Sequence, residues 1–179
     1  MQLIDGTLSP SRGSVRHEPL VKCRTFFQHS VEKLRDPAFS DLTPIELLTK
    51  QSVVEEDIRK HLSRFGIRNE VASRTTLKFL SGGQAVRVAF SLCTWPTSPH
   101  VLLLDEPTNH LDMQTIEALS ESLDQFEGCA VVVSHDEAFI RSLKATSTFF
   151  MSKKTKGLVR LENGIDEYVA KVSRQLSAN

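Results

Sequence analysis

The sequence lacks three features that would each point to a particular class of protein. Its 179 residues carry no net charge, with 22 Lys and Arg against 22 Asp and Glu, so overall charge predicts neither nucleic-acid nor membrane-surface binding. None of its three cysteines forms a C-x-x-C pair, which argues against a zinc ribbon or disulfide framework and is typical of the reducing cytosol. No apolar run approaches the roughly 18 residues that cross a bilayer, and the first residues do not have the pattern of a secretory signal. We therefore expect a cytoplasmic protein without direct membrane insertion.

Two short runs, residues 101–104 and 130–133, consist almost wholly of Val, Leu and Ala. Unbroken apolar runs of this length predict strands that are buried on both faces of a parallel sheet. Between them, residues 113–126 carry apolar side chains three and four positions apart, as an amphipathic helix does, with Asp112 as its N-cap. The segment therefore predicts a strand–helix–strand unit and an α/β fold with a parallel sheet core.

Residues 41–99 have helical rather than strand patterns. We predict one helix capped by Thr43 or Asp41, a second over residues 53–65 and a third over residues 84–93. We interpret this stretch as a helical subdomain inserted into the α/β core, with residues 100–145 forming the strand–helix–strand part. A helix after His135, two strands around a Lys-rich turn and a helix over residues 166–176 complete a single predicted domain of residues 1–179.

Two carboxylates, Asp105 and Glu106, follow the first apolar strand directly. In open α/β sheets, ligands bind at the carboxyl ends of the strands. There Asp105 is a candidate to hold Mg²⁺, and Glu106 is a candidate to orient or deprotonate an attacking water. Two solvated acids at a strand end are the alternative, and the acid pair alone does not choose between the two interpretations.

Two further segments have residues suited to phosphate. Ser81, Gly82, Gly83 and Gln84 precede a predicted helix, where free N–H groups attract an anion and glycines allow close approach. His135 ends the second apolar strand, where its imidazole can point into the same crevice as the acids and donate to a phosphoryl oxygen. Taken singly, a structural turn and a structural histidine are the better interpretations, and only the combination favours a ligand site.

Together these segments resemble the motifs of ABC ATPases in content, order and spacing. Residues 80–84 are similar to the signature motif, the strand that ends in Asp105 and Glu106 to Walker B, and Ser-His135-Asp to the switch histidine. The resemblance implies a P-loop NTPase-like fold, ATP and Mg²⁺ as ligands, and ATP hydrolysis that depends on Glu106 and His135. It also implies that Gln28 senses Mg²⁺ and the γ-phosphate, and that Asp112 lies in the D-loop, at the interface with a second ABC domain whose nucleotide residues 81–84 contact.

Finer details resemble the ABC-F group. Asn109 and His110 follow the acids, and residues 159–168, with Gly164 and Tyr168, are similar to the second, C-terminal domain of that group. Membership implies two ATPase domains in one polypeptide, no transmembrane part, and a cytosolic role that for many members is at the ribosome during translation. Two alternatives stay open: the ATPase subunit of a membrane transporter, and a non-catalytic interaction module that docks to a partner.

One motif of the family is absent from the sequence. ABC ATPases hold the triphosphate with G-x-x-x-x-G-K-[ST], and none of the eight glycines here is followed by Lys. Residues 3–8 resemble the stretch after that loop, so we expect an N-terminally truncated domain that begins just downstream of Walker A. Without this cradle of N–H groups, we expect weak ATP binding, negligible hydrolysis, aggregation and a sheet with an open face or edge.

Ala85 and Val86 stand where ABC-F members usually have polar or basic residues, and we expect them to make the exposed start of their helix more apolar.

Overall fold

The computed structural model describes residues 1–27, 30–50, 54–152 and 155–177. The chain forms two compact units, residues 1–135 and 136–179. The first unit holds the acid pair, the signature segment, Asp112 and His135, and the second is a smaller unit of helices and a hairpin. The predicted division into one domain with a helical subdomain at 41–99 and a core at 100–145 stays a prediction.

The first unit is built on a parallel sheet of three strands in the order β1 (Cys23–Phe27), β2 (Val101–Asp105) and β3 (Cys129–Val133). Cys23 aligns with Val101, which in turn aligns with Cys129, so the three strands begin level with one another. The central residues of β2, Leu102 to Leu104, have no exposed surface. Because the strands are parallel and in step, their carboxyl ends lie at one edge of the sheet.

Four α-helices lie between β1 and β2 in the described residues: α1 (Pro44–Thr49), α2 (Glu55–Arg64), α3 (Asn69–Ser73) and α4 (Gly82–Cys93). Thr43 caps α1 in a reciprocal capping box with Glu46, which confirms Thr43 as the cap. The second predicted helix, residues 53–65, is present as α2, which runs from Glu55 to Arg64 with Val54 as its N-cap and Phe65 as its C-cap, and Gly66 follows it with a positive φ of 75°. The predicted start at residue 53 lies outside the described residues.

Helix α4 contributes a large part of the core of the first unit. Its Phe90 packs against the rings of Phe26 and Phe65, with ring centres 5.9 and 5.6 Å apart. Ala85 and Val86 are 1% and 0% exposed, so the expectation that they would make the helix surface more apolar is wrong. Both side chains point inward because the buried face of α4 begins one turn from its start.

The far end of α4 is fixed by an arginine of the sheet. Arg24, on β1, donates from Nη1 to the carbonyl oxygens of Leu92, Cys93 and Trp95 at 3.3, 3.2 and 2.9 Å. The last carbonyls of a helix have no partners within the helix, and a cation there also complements the helix dipole. Arg24 therefore joins the sheet to the C-terminal end of α4.

Helix α5 (Met113–Asp124) connects β2 to β3 and begins at Asp112, which accepts from the N–H of Thr115 at 2.8 Å, as predicted. The prediction for β3 is only partly right. It is a strand, but Cys129, Ala130 and Val133 are exposed and Val131 and Val132 are half-buried. The run is not buried on both faces because β3 is the outer strand of the sheet in the described chain.

The second unit contains α6 (Glu137–Ser142), the antiparallel strands β4 (Thr148–Ser152) and β5 (Gly157–Leu161), and α7 (Gly164–Ser177). Phe150 of β4 packs against Tyr168 of α7 with ring centres 6.0 Å apart. Every predicted element of this region is present. Across the described residues, no helix has both the length and the apolar character needed to cross a lipid bilayer.

Candidate functional site

The acid pair lies at the carboxyl end of β2, as the sequence predicts. Asp105 is the last residue of the strand and is half-buried. Glu106 follows with a φ of 46°, in the left-handed region that non-glycine residues seldom adopt. Its N–H donates to the carbonyl oxygen of Val133 at 2.8 Å. The chain therefore turns sharply after β2, and this turn is fastened to the end of β3.

The turn brings Glu106 and His135 together. The backbone N–H of His135 donates to Glu106 Oε2 at 3.2 Å, and the imidazole Nε2 lies 3.4 Å from Glu106 Oε1. The Glu106 side chain is 21% exposed, whereas that of His135 is 97% exposed. The Glu106 carboxylate is thus held by the backbone of His135, while the His135 imidazole is exposed and accessible to a ligand.

Two hydroxyl groups, those of Thr108 and Ser134, also connect the segments that follow β2 and β3. Thr108 is 6% exposed, and its Oγ1 lies 3.4 Å from Oγ of Ser134, the residue before His135. This further link between the segments after β2 and β3 makes Thr108 part of the site. Sequence analysis did not assign it a role, although the polar Thr108 two residues after the acids was a visible signal.

Ser81 and Gln84 have a structural task at the start of α4. The N–H of Gln84 donates to Ser81 Oγ at 3.3 Å, and the N–H of Ser81 donates to Gln84 Oε1 at 3.0 Å. This reciprocal pair is a capping box, which satisfies N–H groups that a helix start otherwise leaves free. The capping box fixes the backbone conformation of the signature segment.

The two glycines of the signature segment allow α4 to begin in close contact with α5. A Cβ added at Gly82 would overlap Thr115 Oγ1 and lie 3.8 Å from Asp112 Oδ2, and one at Gly83 would lie 3.4 Å from Ala118 Cβ. Gly82 therefore has a packing reason within the chain itself, independent of any ligand. Thr115, 3% exposed, is a residue that sequence analysis missed.

Asp112 lies beside the signature segment through the same contact. Hydrogen bonds from the Thr115 hydroxyl and from the Thr115 N–H, in that order of effect, lower the pKa of the Asp112 carboxyl. The site residues thus form two groups in the structure. Asp105 and Glu106 lie with His135 at the sheet edge, and residues 81–84 lie with Asp112 where α4 meets α5. Gln28, predicted to contact Mg²⁺, lies outside the described residues.

The donor set fits a weakly chelated magnesium ion. Within the described ranges, no three His, Cys, Asp or Glu side chains are placed to hold one metal ion together. Mg²⁺ is commonly held by only one or two carboxylates, with waters and phosphate oxygens completing its octahedron. The half-buried carboxylate of Asp105 suits that pattern.

Comparisons with known proteins agree with this geometry. The model of the ABC transporter family matches residues 1–109, which include the signature segment and both acids. The chain belongs to the ABC transporter family. This family membership confirms the resemblance on which the motif assignment depends.

Relatives within the ABC transporter family carry the finer assignment. Mouse (Mus musculus) ATP-binding cassette sub-family F member 3 is 41% identical over 177 residues, which cover 98% of this chain and 24% of that protein. The probable ATP-binding protein YheS of Escherichia coli (strain K12) is 39% identical over 144 residues, covering 79% of this chain and 22% of that protein. The chain thus spans about a quarter of the length of these relatives. The predicted similarity to the ABC-F group is confirmed.

A solved structure confirms the fold class. The structure of RNase-L Inhibitor superposes with a TM-score of 0.57 and 21% sequence identity, covering 96% of this chain and 34% of that one. The predicted α/β architecture with a parallel sheet core is therefore shared with that structure.

Proposed function

We propose that this chain is the greater part of a nucleotide-binding domain of a cytoplasmic ABC-F protein, in which ATP with Mg²⁺ is bound and hydrolysed. The observation that carries the proposal is the Glu106–His135 pair, 3.4 Å apart at the carboxyl ends of two parallel strands. We take residues 1–179 as one functional domain.

Each residue of the sheet-edge group has a chemical role in this proposal. Asp105 would hold Mg²⁺, with Gln28 proposed as a second residue that contacts it. Glu106 orients and deprotonates the attacking water, which its partly exposed carboxylate can reach. The exposed imidazole of His135 donates to the transferring phosphoryl oxygen, where negative charge develops.

The second group serves a partner domain. Residues 81–84 start a helix of 12 residues, and Asp112 lies beside them. We propose that this surface faces the nucleotide of a second ABC domain, in the same polypeptide or in a dimer. Because the sequence contains no G-x-x-x-x-G-K-[ST], we propose that the chain alone turns over ATP negligibly but still supports hydrolysis by a domain that has that loop.

This division of labour can be tested with an intact ABC-F domain that carries the phosphate loop. Phosphate release is measured for each protein alone and for the mixture with Mg²⁺·ATP. We expect no turnover from this chain, and stimulation of the intact domain by it. Ser81→Ala should abolish the stimulation, and His135→Ala should preserve it, because His135 belongs to this chain's own site.

A matched control separates function from folding in this experiment. Ser81→Ala also removes a helix cap, and Thr43→Ala removes the equivalent capping box of α1. Thr43→Ala should therefore leave stimulation unchanged. Turnover by the chain alone that Glu106→Gln destroys would contradict its inactivity. Absence of stimulation in the mixture would contradict the proposed role of this chain toward a partner domain.

We extend the proposal to the ribosome, on the similarity to the ABC-F group. Sucrose-gradient sedimentation of a lysate should find the protein in the ribosome fractions. Flotation with membranes instead would favour the ATPase subunit of a transporter.

A further inference from the structure

Phe79 is an exposed aromatic residue immediately before the signature segment. It is 74% exposed and ends a short 3₁₀ turn, Leu77–Phe79, between α3 and α4. A single exposed apolar side chain is common on protein surfaces and needs no explanation by itself. What gives this ring a meaning is the direction in which it points and how firmly its backbone is held.

The backbone between Phe79 and Ser81 is extended. Leu80 has φ −66° and ψ 139°, and Ser81 has φ −63° and ψ 162°. Side chains alternate between opposite sides along an extended backbone. Leu80 is 4% exposed and belongs to the core, whereas Phe79 and Ser81 are both exposed. The Phe79 ring and the Ser81 hydroxyl therefore lie on the same, outer side of the chain.

The 3₁₀ turn that carries the ring is fixed to the loop before α1. The N–H of Leu77 donates to the carbonyl oxygen of Leu42 at 2.8 Å, and the N–H of Lys78 donates to that of Ser40 at 3.1 Å. Lys78 Nζ also forms an ion pair with Asp41 Oδ1 at 2.6 Å. The two backbone bonds hold the turn and the ion pair orients the lysine. All three links lie within the stretch between β1 and β2.

Lys78 also places a positive charge on one face of the ring. Its Nζ lies 5.2 Å from the centre of the Phe79 ring, which is within the range of a cation–π contact. Because the residue is 74% exposed, the ring keeps an accessible face besides the one beneath the ammonium. An aromatic face on a fixed backbone, with a cation beside it, suits a ligand that has a flat π system and carries negative charge elsewhere.

We propose that Phe79 stacks on the base of the nucleotide held by the partner domain. This inference rests on the proposed function, in which residues 81–84 face that nucleotide. Phosphates are attracted to the N–H groups at the start of α4. Two extended residues span about 7 Å, which is on the scale of a triphosphate chain. The charged end of the nucleotide thus lies at Ser81, and its flat base lies on Phe79.

The contact has a distinct kinetic consequence. Stacking uses the face of a base and does not read its edge, so Phe79 strengthens the binding of ATP and GTP alike, because every base has a π face. The base does not react, so the contact is equally strong before and during phosphoryl transfer. Its loss should therefore raise KM and spare kcat. Ser81 lies at the phosphate end, so its loss should lower kcat.

Steady-state kinetics with an intact ABC-F domain test the contact. The signature serine of the intact domain is replaced by alanine, so that its turnover depends on this chain, which is kept at a saturating concentration. Phe79→Ala should raise the KM for ATP and for GTP at least about fivefold, as expected for the loss of one base–aromatic stack, with kcat unchanged. Phe79→Tyr keeps the ring and should keep the original KM.

Phe39→Ala is the matched control. Phe39 is 36% exposed and also lies beneath a lysine, with Lys50 Nζ 5.0 Å from its ring centre. It is not part of the extended segment that leads to Ser81, so its loss should change neither KM nor kcat. The fluorescence of Trp95 during urea unfolding reports whether each variant is folded.

A photoreactive nucleotide locates the base without reference to turnover. Irradiated 8-azido-ATP, held by the intact domain, attaches through its adenine to whatever lies against the base. The label should appear on the peptide of this chain that contains Phe79. It should appear there only when the intact domain is present, since that domain holds the nucleotide.

The possible outcomes separate this inference from the proposed function. A mixture without stimulation would contradict the proposed function, and the stacking would fall with it. Stimulation with an unchanged KM for Phe79→Ala, or a label confined to other peptides, would contradict the stacking alone. If more Phe79→Ala were needed for half-maximal stimulation while KM stayed the same, the ring would lie against protein of the partner domain, and the stacking would again be wrong.

Discussion

Replacement of Gly82 by Ala tests whether the start of α4 is set by its contact with α5. The added Cβ would overlap Thr115 Oγ1, and Thr115 is 3% exposed, so its hydroxyl has little room to move. Overpacking of this kind typically costs about 1–3 kcal/mol. Ala loses less conformational entropy than glycine when the helix folds, and this offsets less than about 1 kcal/mol of that cost. We expect a net destabilisation of about 1–2 kcal/mol.

Urea unfolding provides the measurement. Trp95 is the only tryptophan in the sequence and is 6% exposed, so its fluorescence reports the unfolding of the first unit. Thr115→Ala removes the atom that Gly82→Ala overlaps, and leaves Thr115 Cβ at an ordinary 3.7 Å. In that background Gly82→Ala should stabilise the protein by up to about 1 kcal/mol, which gives a coupling of about 1–3 kcal/mol in a double-mutant cycle.

Gly83→Ala is the matched control. Its added Cβ would lie 3.4 Å from Ala118 Cβ, an ordinary contact, so we expect no destabilisation and a gain of up to about 1 kcal/mol from replacing a helical glycine. The reasoning fails if Gly82→Ala unfolds at the same urea concentration as the unsubstituted chain. It also fails if its cost is the same with and without the Thr115 hydroxyl, because the contact would then play no part.

Two titratable groups give further predictions. Burial lowers the pKa of His61, against a smaller opposing effect of its hydrogen bond to Ser91, so the folded state disfavours the charged imidazole. The unfolded chain takes up that proton below about pH 6.5, and the free energy of unfolding should therefore fall as pH drops below that value. His61→Gln should flatten this slope in urea titrations at several pH values, and an unchanged slope would exclude His61 as its cause. Burial also raises the pKa of Cys93 to about 11, whereas Cys129 is exposed. A thiol reagent at pH 8 should modify Cys129 much faster than Cys93, as mass spectrometry of digests can check, and the reverse order would contradict the burial of Cys93.

Local sequence signals predicted the elements and the cluster at the sheet edge. The apolar run before Asp105 is a buried strand, Thr43 and Asp112 are caps, and His135 meets Glu106. These features depend on residues close in sequence, or on the general rule that parallel strands end at one edge. Such signals are sufficient to identify a candidate site.

Properties that depend on distant neighbours were not predictable in the same way. The run 130–133 looks buried because its residues are apolar, but burial depends on what packs around the strand, and within the described residues β3 pairs with β2 alone. Ala85 and Val86 looked exposed from their position near a helix start, but the direction of a side chain is set by how α4 packs. Gly82 looked like a ligand contact, whereas Thr115, 33 positions later, is what fills the space beside it.

Arg24 gives α4 a mechanical role. The helix is clamped at one end against α5 and tied at the other by three hydrogen bonds to a residue of β1. Because both ends of α4 are fixed, a displacement of the signature segment would have to break one of these contacts or move α5 or β1 with it.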